Sequence, residues 1–418
     1  MNATFQLEIE GAPALAVHGF DAYERSHLQA RAVVLVRLAE GARGPVIADD
    51  LLGKRASLAI AGADHPRGPR HFHGVVDAVE LSHEGAKVTL VPRVLLLDDN
   101  TDHRVFLDQD AVTIAESLLG EASVPLEVRV AERPTARLQR VQAFESTLAF
   151  VRRLLADDGV SCWIDHQDEQ EIVVIADAVS GCDDLAGGAL LRFRSGGGLD
   201  GEDAVFEAEQ THRLAHDGVS VSDYNPEIPA VDQGASAGGA TYPRFVFPGH
   251  HRSPEEGVER ARAFLEEART EGLVLRARTT CRHVAVGRVV EVAEALQGEL
   301  NGRYRVLEVS QRGRDYAAVA AGERRYEAEF IAVPEAIPVR PRRERPLGLG
   351  GLQTMTVAGP NGQEIHTDAA GRIKARFRWD RRAPPDDSSS AWMRPLQPAL
   401  GGGFFLPRVG WEVLTAFM

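Results

Sequence analysis

The chain has 418 residues, of which 44% are hydrophobic, and its 47 Lys and Arg residues against 61 Asp and Glu residues give a net charge of −14 at pH 7. A chain of this length is expected to form about two to four domains, each able to bury a core. The acidic balance argues against a general binder of nucleic acid or anionic membranes, because attraction to phosphate requires clustered cationic surface.

The cysteines and the N-terminus indicate the compartment. Cys162, Cys182 and Cys281 stand far apart without CxxC spacing, which predicts buried thiols in a reducing cytoplasm. No apolar run approaches the roughly 18 residues of a membrane span. Met1 is followed by a strand-like segment at residues 4–9 instead of the basic and apolar regions of a signal peptide. We therefore expect a protein without a signal peptide that is made in the cytoplasm.

A first strand-rich region is expected over residues 1–98. Runs of alternating apolar and polar residues, broken by Gly, Asp and Pro, predict strands at residues 31–38, 55–60, 73–81 and 86–91. Short strands at this spacing are typical of a small β-barrel or sandwich.

Residues 99–185 predict an α+β insertion. Apolar residues recur at helical spacing over residues 111–119 and 144–156, and Gly159 is expected to end the second of these helices. The apolar run at residues 172–177 then predicts a buried strand.

A second strand-rich region is expected over residues 186–331, with strands within residues 204–247 and at 274–279 and 302–309. The Gly-rich segment 195–201 lacks the Lys-Ser/Thr of a P-loop and predicts a flexible connection, and segment 234–239 predicts a loop. Ser253, Pro254 and Glu256 form a capping box, which predicts a helix over residues 253–272 that Gly272 closes. Residues 286–312 repeat the character of residues 73–94, so we expect two related barrels.

Residues 332–351 contain four prolines and several arginines, a composition that predicts a semi-rigid extended linker. Beyond it lies the stretch around which the chain is organised, residues 361–382. Its cations alternate with apolar residues at the period of two that a half-buried strand requires: Arg372, Lys374, Arg376 and Arg378 against Ile373, Ala375, Phe377 and Trp379.

This stretch has two interpretations. A basic strand with aromatic residues is found in nucleic-acid platforms, where bases stack on the rings. Here the aromatic residues alternate away from the cations, so we expect Phe377 and Trp379 to lie in the core of a small barrel. The start of a barrel is accordingly expected over residues 352–418.

No catalytic, cofactor-binding or metal-binding residue is assigned, and a non-enzyme is expected. His71 and His73 share one face of a strand, but the sequence supplies no third ligand, and His250 with His251 follows a turn. There is neither HExxH nor GxSxG around any candidate nucleophile such as Cys162. On an extended strand Glu364, His366 and Asp368 would share one face, which is ordinary for solvated side chains near a turn.

Several of these segments resemble the VgrG family, the tip and spike proteins of type VI secretion and related contractile injection systems. The resemblance covers EIHTD at residues 364–368, GRIK at 371–374, FRWDR at 377–381 and GGFFLPRVG at 402–410. Weaker similarity lies at residues 51–54, 72–76, 90–93, 142–159 and 302–309. Two departures are Arg378, where the family usually has His, and Trp411, where it has a polar residue.

The resemblance implies a mainly β fold with two hub-type β-barrels, an α+β insertion and an OB-type barrel that is apparently truncated at Met418, in a trimmed piece or a natural short form. It implies a structural hub and spike component that trimerises, caps a hexameric tube, contacts baseplate proteins and carries a membrane-piercing tip, an effector or a tip-sharpening protein. The target membrane would be pierced only by the assembled machine, through which the protein would be injected or secreted. The alternative is a cell-wall hydrolase or another effector enzyme of the same machine.

Overall fold

One 13-stranded sheet, which closes on itself twice, dominates the fold. The computed structural model describes residues 5–38, 48–60, 68–83, 85–177, 181–195, 203–314, 326–344, 351–397 and 405–416. The expected connection at residues 195–201 lies almost wholly outside these described residues.

The elements of the first part of the chain are β1 (Gln6–Ile9), β2 (Leu15–Arg25), β3 (Gln29–Leu38), α1 (Ala48–Leu51), β4 (Arg55–Ala59), β5 (His71–Ser82), β6 (Gly85–Val91), β7 (Thr101–Gln109), α2 (Ala111–Glu121), β8 (Leu126–Arg129), β9 (Arg137–Ser146), α3 (Thr147–Asp157), β10 (Ser161–His166) and β11 (Glu171–Ala176). A 3₁₀ helix at Arg93–Asp98 separates β6 from β7.

The remaining elements are β12 (Asp183–Asp184), β13 (Leu190–Phe193), β14 (Ala204–His212), β15 (Gly218–Val221), β16 (Ala235–Gly238), β17 (Pro243–Val246), α4 (Pro254–Thr270), β18 (Leu273–Thr279), β19 (Arg288–Ala293), β20 (Gly302–Arg314), β21 (Tyr326–Pro334), β22 (Leu352–Ala358), β23 (Lys374–Phe377) and β24 (Glu412–Ala416). A second 3₁₀ helix, Gly298–Leu300, precedes β20.

The first barrel is formed by β1-β4-β5-β6-β3-β2 and is closed by the antiparallel pairing of β1 with β2. Strand β3 illustrates why it forms, since Ala30, Ala32, Val34 and Val36 are buried while the residues between them are not. This period of two points every second side chain into the barrel. Large side chains with no exposed surface fill the interior, among them Phe20, Leu58, Phe72 and Leu90.

The second barrel is formed by β20-β21-β18-β14-β13-β19 and is closed by the pairing of β19 with β20. Strand β13 runs parallel to both of its neighbours, whereas the other ladders of this ring are antiparallel. Its core contains Leu191, Leu275, Val290, Val306 and Phe330. The expected mainly β fold with two barrels is therefore confirmed.

The chain forms two compact units. The first contains Met1–Leu95, Val124–Ala131 and Gly159–Arg342, and therefore both barrels, the sheet β10-β11-β8 and the sheet β16-β15-β17 with α4. The second contains Leu96–Ser123, Glu132–Asp158 and Arg343–Met418, and therefore the β7–β9 pair, α2, α3 and the sheet β23-β22-β24. Residues 99–185 thus contribute to both units, and their separation as one insertion domain stays a prediction.

Each of the three longer helices begins at a side-chain cap. The Asp110 carboxylate accepts from the N–H groups of Val112 and Thr113, and the Ser253 hydroxyl accepts from Glu256, as the sequence predicted for α4. Ser146 caps α3 by accepting from Ala149. Residues 144–146, expected in that helix, belong instead to β9, because the cap at Ser146 sets the first helical residue at Thr147.

Two further expectations about secondary structure were wrong. Residues 234–239 were expected to form a loop, but β16 pairs antiparallel with β15, and its small residues let it lie close under α4. Residues 332–351 were expected to form a linker throughout, but residues 332–334 belong to β21. Arg340 donates to the Glu266 carboxylate at 2.8 Å and to the Gly159 carbonyl at 2.9 Å, so the part of the segment around Arg340 is packed within the first unit.

The two barrels join where β2 pairs antiparallel with β20, from Gly19 opposite Arg314 to Arg25 opposite Glu308. We call this ladder the seam. A β-bulge between Val17 and Gly19 shifts the register of β2 just before the seam. At the seam a Cβ atom on Gly313 would lie 2.3 Å from the Phe20 ring and 2.6 Å from the Phe5 ring. Only a glycine therefore allows the two barrels to approach this closely.

Replacing Gly313 by Ala should lower the free energy of unfolding by about 1–3 kcal/mol, because the methyl group would force the Phe20 ring out of its packed position. The matched control is Gly298→Ala, since a Cβ atom there would meet nothing within 4 Å. Urea unfolding of both variants measures the difference. Equal stability of the two variants would contradict the close packing at the seam.

Candidate functional site

A buried polar cluster lies beneath the seam. It consists of Glu24 on β2, Arg70 just before β5, Gln311 on β20 and Tyr326 on β21, and we call it the seam cluster. The Arg70 guanidinium donates to the Glu24 carboxylate and to the carbonyls of Val284 and Arg282, the last at 3.3 Å. One side chain thus forms hydrogen bonds with residues of both barrels.

The Gln311 amide connects the other members of the seam cluster. It lies 3.1 Å from the Tyr326 hydroxyl, and with its oxygen turned toward Arg70 it accepts from the guanidinium and donates to Tyr326. Burial raises the pKa of Glu24, and the charge of Arg70 opposes this effect. Burial also raises the pKa of Tyr326, so the phenol stays neutral and its oxygen accepts from the Gln311 amide.

A second group of contacts holds the β10–β11 hairpin against the first barrel. The backbone N–H of His73 donates to Nδ1 of His166 at 3.0 Å, and Nε2 of His73 donates to the Gln167 carbonyl at 2.7 Å. The His166 ring stacks on Phe72 with 4.4 Å between centroids. Because Nδ1 of His166 accepts a hydrogen bond, the neutral ring carries its proton on Nε2.

The electrostatics of these two histidines favour their neutral forms. Burial lowers the pKa of His166 well below its ordinary value, and the positive charge of Arg70 lowers it further. Burial also lowers the pKa of His73, against the opposing hydrogen bond to Gln167. A proton added to Nδ1 of His166 would remove the hydrogen bond from His73, so acid should loosen the hairpin.

We expect the free energy of unfolding to fall as the pH is lowered from about 7.5 to 5. The folded pKa values of His166 and His73 lie below the unfolded value of about 6.5, so the unfolded chain takes up protons first and stability is lost toward low pH. His166→Gln removes one titrating group and should flatten this dependence by up to about 1.4 kcal/mol per pH unit.

Urea unfolding over this pH range, on the wild type and on His166→Gln, measures the two slopes. His212→Gln serves as the control, because it removes an exposed histidine of β14 that contacts Gln210 on its own strand. Parallel slopes for the wild type and His166→Gln would show that His166 does not titrate against folding.

In the second unit, the stretch singled out in the sequence forms a clamp. The Asp380 carboxylate is 2% exposed and accepts from the N–H groups of Val105 at 3.1 Å, Arg382 at 3.0 Å and Ala383 at 2.9 Å. It therefore fastens the chain that follows β23 to strand β7, 275 residues away in sequence.

An ion-pair network extends this clamp. Arg104 donates to Asp102 at 2.7 Å and to Glu121 at 2.9 Å, and Arg382 reaches the same Glu121 carboxylate at 3.0 Å. Burial alone would raise the pKa of Asp102, but hydrogen bonds from Arg104 and the His103 N–H, with the charge of Arg382, hold it below its ordinary value. We call Asp102, Arg104, Glu121, Asp380 and Arg382 the C-terminal clamp.

The alternation expected before the clamp is confirmed over residues 371–377, where every second residue is buried. Phe377 is buried as expected, but Trp379 is only half-buried, because β23 ends at Phe377 and the chain turns there. The Trp379 ring stacks on Phe377 at 4.3 Å between centroids and lies 5.8 Å from the His103 ring.

Each of the four alternating cations has a partner within its own chain. Arg372 pairs with Asp368, and Lys374 donates to the Asp387 carbonyl at 2.7 Å and lies over the Trp392 ring. The other two contacts are from Arg376 to the Asp380 carbonyl at 3.2 Å and from Arg378 to Glu412 at 2.6 Å. Cations occupied in this way are poorly suited to bind a phosphate backbone.

Asp380→Ala should lower the stability of the second unit by about 2–4 kcal/mol, because it leaves buried N–H groups without an acceptor. The control is Arg381→Ala. This guanidinium lies 3.5 Å from the Asp102 carboxylate but is 82% exposed. Because water screens such an exposed ion pair, its loss should change stability by less than about 0.5 kcal/mol. Thermal unfolding with limited proteolysis compares the variants. An Asp380→Ala protein as stable as Arg381→Ala would refute the clamp.

The other candidates do not form a recognisable active centre. His71 stacks on His73 and its Nδ1 lies 3.1 Å from the Ser57 hydroxyl. Among the described residues no group of three or more His, Cys, Asp or Glu side chains could hold a metal ion. Nε2 of His251 donates to the Gln233 carbonyl at 2.6 Å. His71 and His73 thus lie on strand β5, and His251 lies in the loop before α4.

Glu364, His366 and Asp368 do not share one extended strand, which corrects the expectation from their spacing. They have separate partners: Glu364 pairs with Arg408 at 3.1 Å, the His366 ring lies 5.0 Å from Trp392, and Asp368 binds Arg372. The turn around residues 369–370 diverts the chain before a strand can form.

The cysteines are reduced, with Cys162 and Cys281 buried and Cys182 half-buried. Burial raises the pKa of the Cys182 thiol, which leaves it a weak nucleophile. Among the described residues, none of the helices is long and apolar enough to cross a bilayer.

Comparison with known proteins identifies a family whose sequence profile matches this chain. The sequence profile of the phage tail baseplate hub (GPD) family matches residues 31–317. Two Pseudomonas aeruginosa proteins are similar over 88% of the chain, the type VI secretion system spike proteins VgrG1c at 28% identity and VgrG1b at 29%. The matches cover 53% and 52% of those relatives, so the chain spans about half their length.

Solved structures share the fold. The E. coli c3393 protein, described as a type VI secretion component with structural similarity to the T4 bacteriophage tail proteins gp27 and gp5, matches with a TM-score of 0.70 at 20% identity. That match covers 99% of this chain and 96% of the other. A chain of the Francisella PdpA-VgrG complex matches with a TM-score of 0.59 at 8% identity, over 99% of this chain and 76% of the other. At these identities the likeness concerns the fold alone.

Proposed function

The chain belongs to the phage tail baseplate hub family, and from that membership we propose that it is a structural hub and spike-base subunit of a contractile injection machine of the type VI secretion kind. The single observation that carries the proposal is the pair of closed six-stranded barrels on one continuous sheet. Such a subunit acts through its shape and its contacts, not through chemistry on a substrate.

The paired barrels give a geometric reason for a homotrimer. One chain supplies two rings of six strands, joined at the seam, and three copies around one axis supply six similar barrels. Cyclic closure leaves no unsatisfied interface at the ends. A ring of six similar barrels can match a hexameric tube protein, with baseplate proteins around it.

The seam cluster suits this role because a hub under load must hold its two barrels in one arrangement. The Arg70 guanidinium makes all of these hydrogen bonds only when β2, the chain before β5 and residues 282–284 are in their observed positions. A buried charge without its partners is costly, so alternative arrangements of the barrels are disfavoured.

The domain organisation is part of the proposal: a first hub barrel at residues 1–98, an α+β insertion at 99–185, a second hub barrel at 186–331, a linking segment at 332–351 and the start of an OB-type barrel at 352–418. The antiparallel sheet β23-β22-β24 and the bridges from Ile373 to Thr367 and Met393 support a small barrel in the last region. A needle, a tip-sharpening protein or an effector would attach beyond it.

We further propose that the protein is not an enzyme and does not bind nucleic acid. The candidate catalytic residues have separate structural partners, and the cations of residues 372–378 are occupied within the chain. The protein would stay in the cytoplasm until assembly and then be injected or secreted through the machine, which pierces the target membrane as a whole. Nothing in the described residues favours the cell-wall hydrolase alternative.

Light scattering coupled to size exclusion, run over a range of concentrations, tests the trimer. The mass should rise toward three times 45.4 kDa as the concentration increases. Electron microscopy of the same fractions should show rings with six similar lobes. A stable dimer, or a monomer that persists at high concentration without rings, would contradict the proposed hub.

A further inference from the structure

The β10–β11 hairpin contacts both barrels. On the side of the second barrel, the Asp165 carboxylate accepts from Arg288 of β19 at 2.6 Å. The Trp163 ring lies so close to Gly287 that a Cβ atom there would be 2.3 Å from the ring. An ion pair and close packing therefore hold the hairpin on the second barrel.

The contacts with the first barrel are of another kind. At three points among the described residues, a backbone N–H group within residues 5–95 donates to the hairpin. The hydrogen bonds run from His27 to the Cys162 carbonyl at 2.7 Å, from Arg93 to the Glu171 carboxylate at 3.2 Å and from His73 to Nδ1 of His166 at 3.0 Å. Of these acceptors, the imidazole is the one that ordinarily takes up a proton between pH 5 and 8.

His166 can accept this hydrogen bond in one protonation state only. Nδ1 must carry a lone pair to accept from the N–H group of His73. A proton on Nδ1 makes it a donor, and two donors then face each other. The hydrogen bond between β10 and β5 is therefore incompatible with a protonated His166.

The cations around His166 oppose its protonation while the hairpin is in place. Burial lowers the pKa of His166, and the positive charges of Arg70 and of a protonated His73 lower it further. His71 stacks on His73 with 5.2 Å between centroids, so its protonation would add another positive charge nearby. Proton uptake at His166 therefore favours a hairpin that has moved away from β5.

The carboxylates near His166 do little to offset these cations. Two are paired, Glu171 with Arg93 at 2.9 Å and Asp165 with Arg288 at 2.6 Å. Asp168 and Glu169, at the tip of the hairpin, are exposed, so water screens their charge.

The tip of the hairpin, residues 167–170, is exposed and bordered by two clefts. One cleft, of about 420 Å³, lies between the tip and strands β1 and β4. The other, of about 650 Å³, contains His166 and residues of β8, β12 and β19. Its other polar groups have partners: Arg129 with Asp183 at 2.7 Å, Asp184 with Arg303 at 2.6 Å and Nε2 of His283 with the Gly68 carbonyl at 3.1 Å. A segment with so little packing around its tip opens at a lower free energy than the barrel ladders.

We propose that the β10–β11 hairpin is an acid-released strap: protonation of His166 at Nδ1 frees it from the first barrel while the ladders of both barrels stay intact. The ion pair of Asp165 and the packing of Trp163 keep the released hairpin on the second barrel. In acid, the two barrels are then joined by the seam and the seam cluster without the strap. This inference does not depend on the function proposed above.

Residue-resolved hydrogen exchange of the full chain, at about pH 7.5 and about pH 5.5, tests the strap. The reporters are the N–H groups of His27, His73 and Arg93, and the reference is the β19–β20 ladder. After correction for the intrinsic effect of pH on exchange, protection of the reporters should fall at least about tenfold, because a released His166 with a pKa of about 6.5 takes up a proton over this range. The reference ladder should keep its protection.

Two variants separate His166 from the other histidines. The amide oxygen of a glutamine can accept from the His73 N–H group but does not titrate, so His166→Gln should reduce the fall in protection by about tenfold. Any remaining fall belongs to His27 and His73. The control, His212→Gln, removes an exposed histidine of β14 and should behave as the wild type. Protection of the reference ladder establishes that each variant is folded.

Three results would overturn the strap. Reporter protection that does not change with pH would show that acid leaves the hairpin in place. An equal fall in the reference ladder would mean that the whole unit unfolds. A fall in His166→Gln as large as in the wild type would mean that the proton acts elsewhere. None of these results bears on the trimer, which light scattering tests separately.

Discussion

The buried contact between Arg70 and Glu24 is the constraint on which the arrangement of the two barrels depends. A guanidinium and a carboxylate removed from water are costly unless nearly every donor and acceptor is matched. Arg70 finds its acceptors on β2 of the first barrel and on carbonyls at residues 282 and 284, between β18 and β19 of the second. The hydrophobic cores stabilise each barrel, but this polar contact specifies the position of one barrel against the other.

Much of the architecture was predictable where one periodicity continued without interruption. Strands β3 to β6 and the buried strand β11 were expected from alternation or apolar runs, and α4 from its capping box. Strand β2 was not expected, because the bulge between Val17 and Gly19 shifts its alternation and the inward-facing Glu24 reads as a surface residue. Strand β16 was missed because its Ala, Ser and Gly residues resemble a loop in composition.

The polar contacts of the site could not be predicted for a different reason. Val105 lies 275 residues from Asp380 and Val284 lies 214 residues from Arg70 in sequence, and no local pattern connects either pair. The stretch around Arg372 was singled out correctly, but its chemistry was open to two interpretations. In the structure Phe377 is buried and the four alternating cations contact their own chain, so the stretch joins parts of the second unit.

The way the chain alternates between its two units has a kinetic consequence. It passes from one unit to the other after residues 95, 123, 131, 158 and 342. Residues 96–123 and 132–158 of the second unit are therefore joined at both ends to the first. Once the first unit has folded, the ends of these segments are no longer free, and the entropy of closing them as loops has already been lost. If the barrels form first, the second unit therefore folds from a more restricted ensemble than a free chain of the same length.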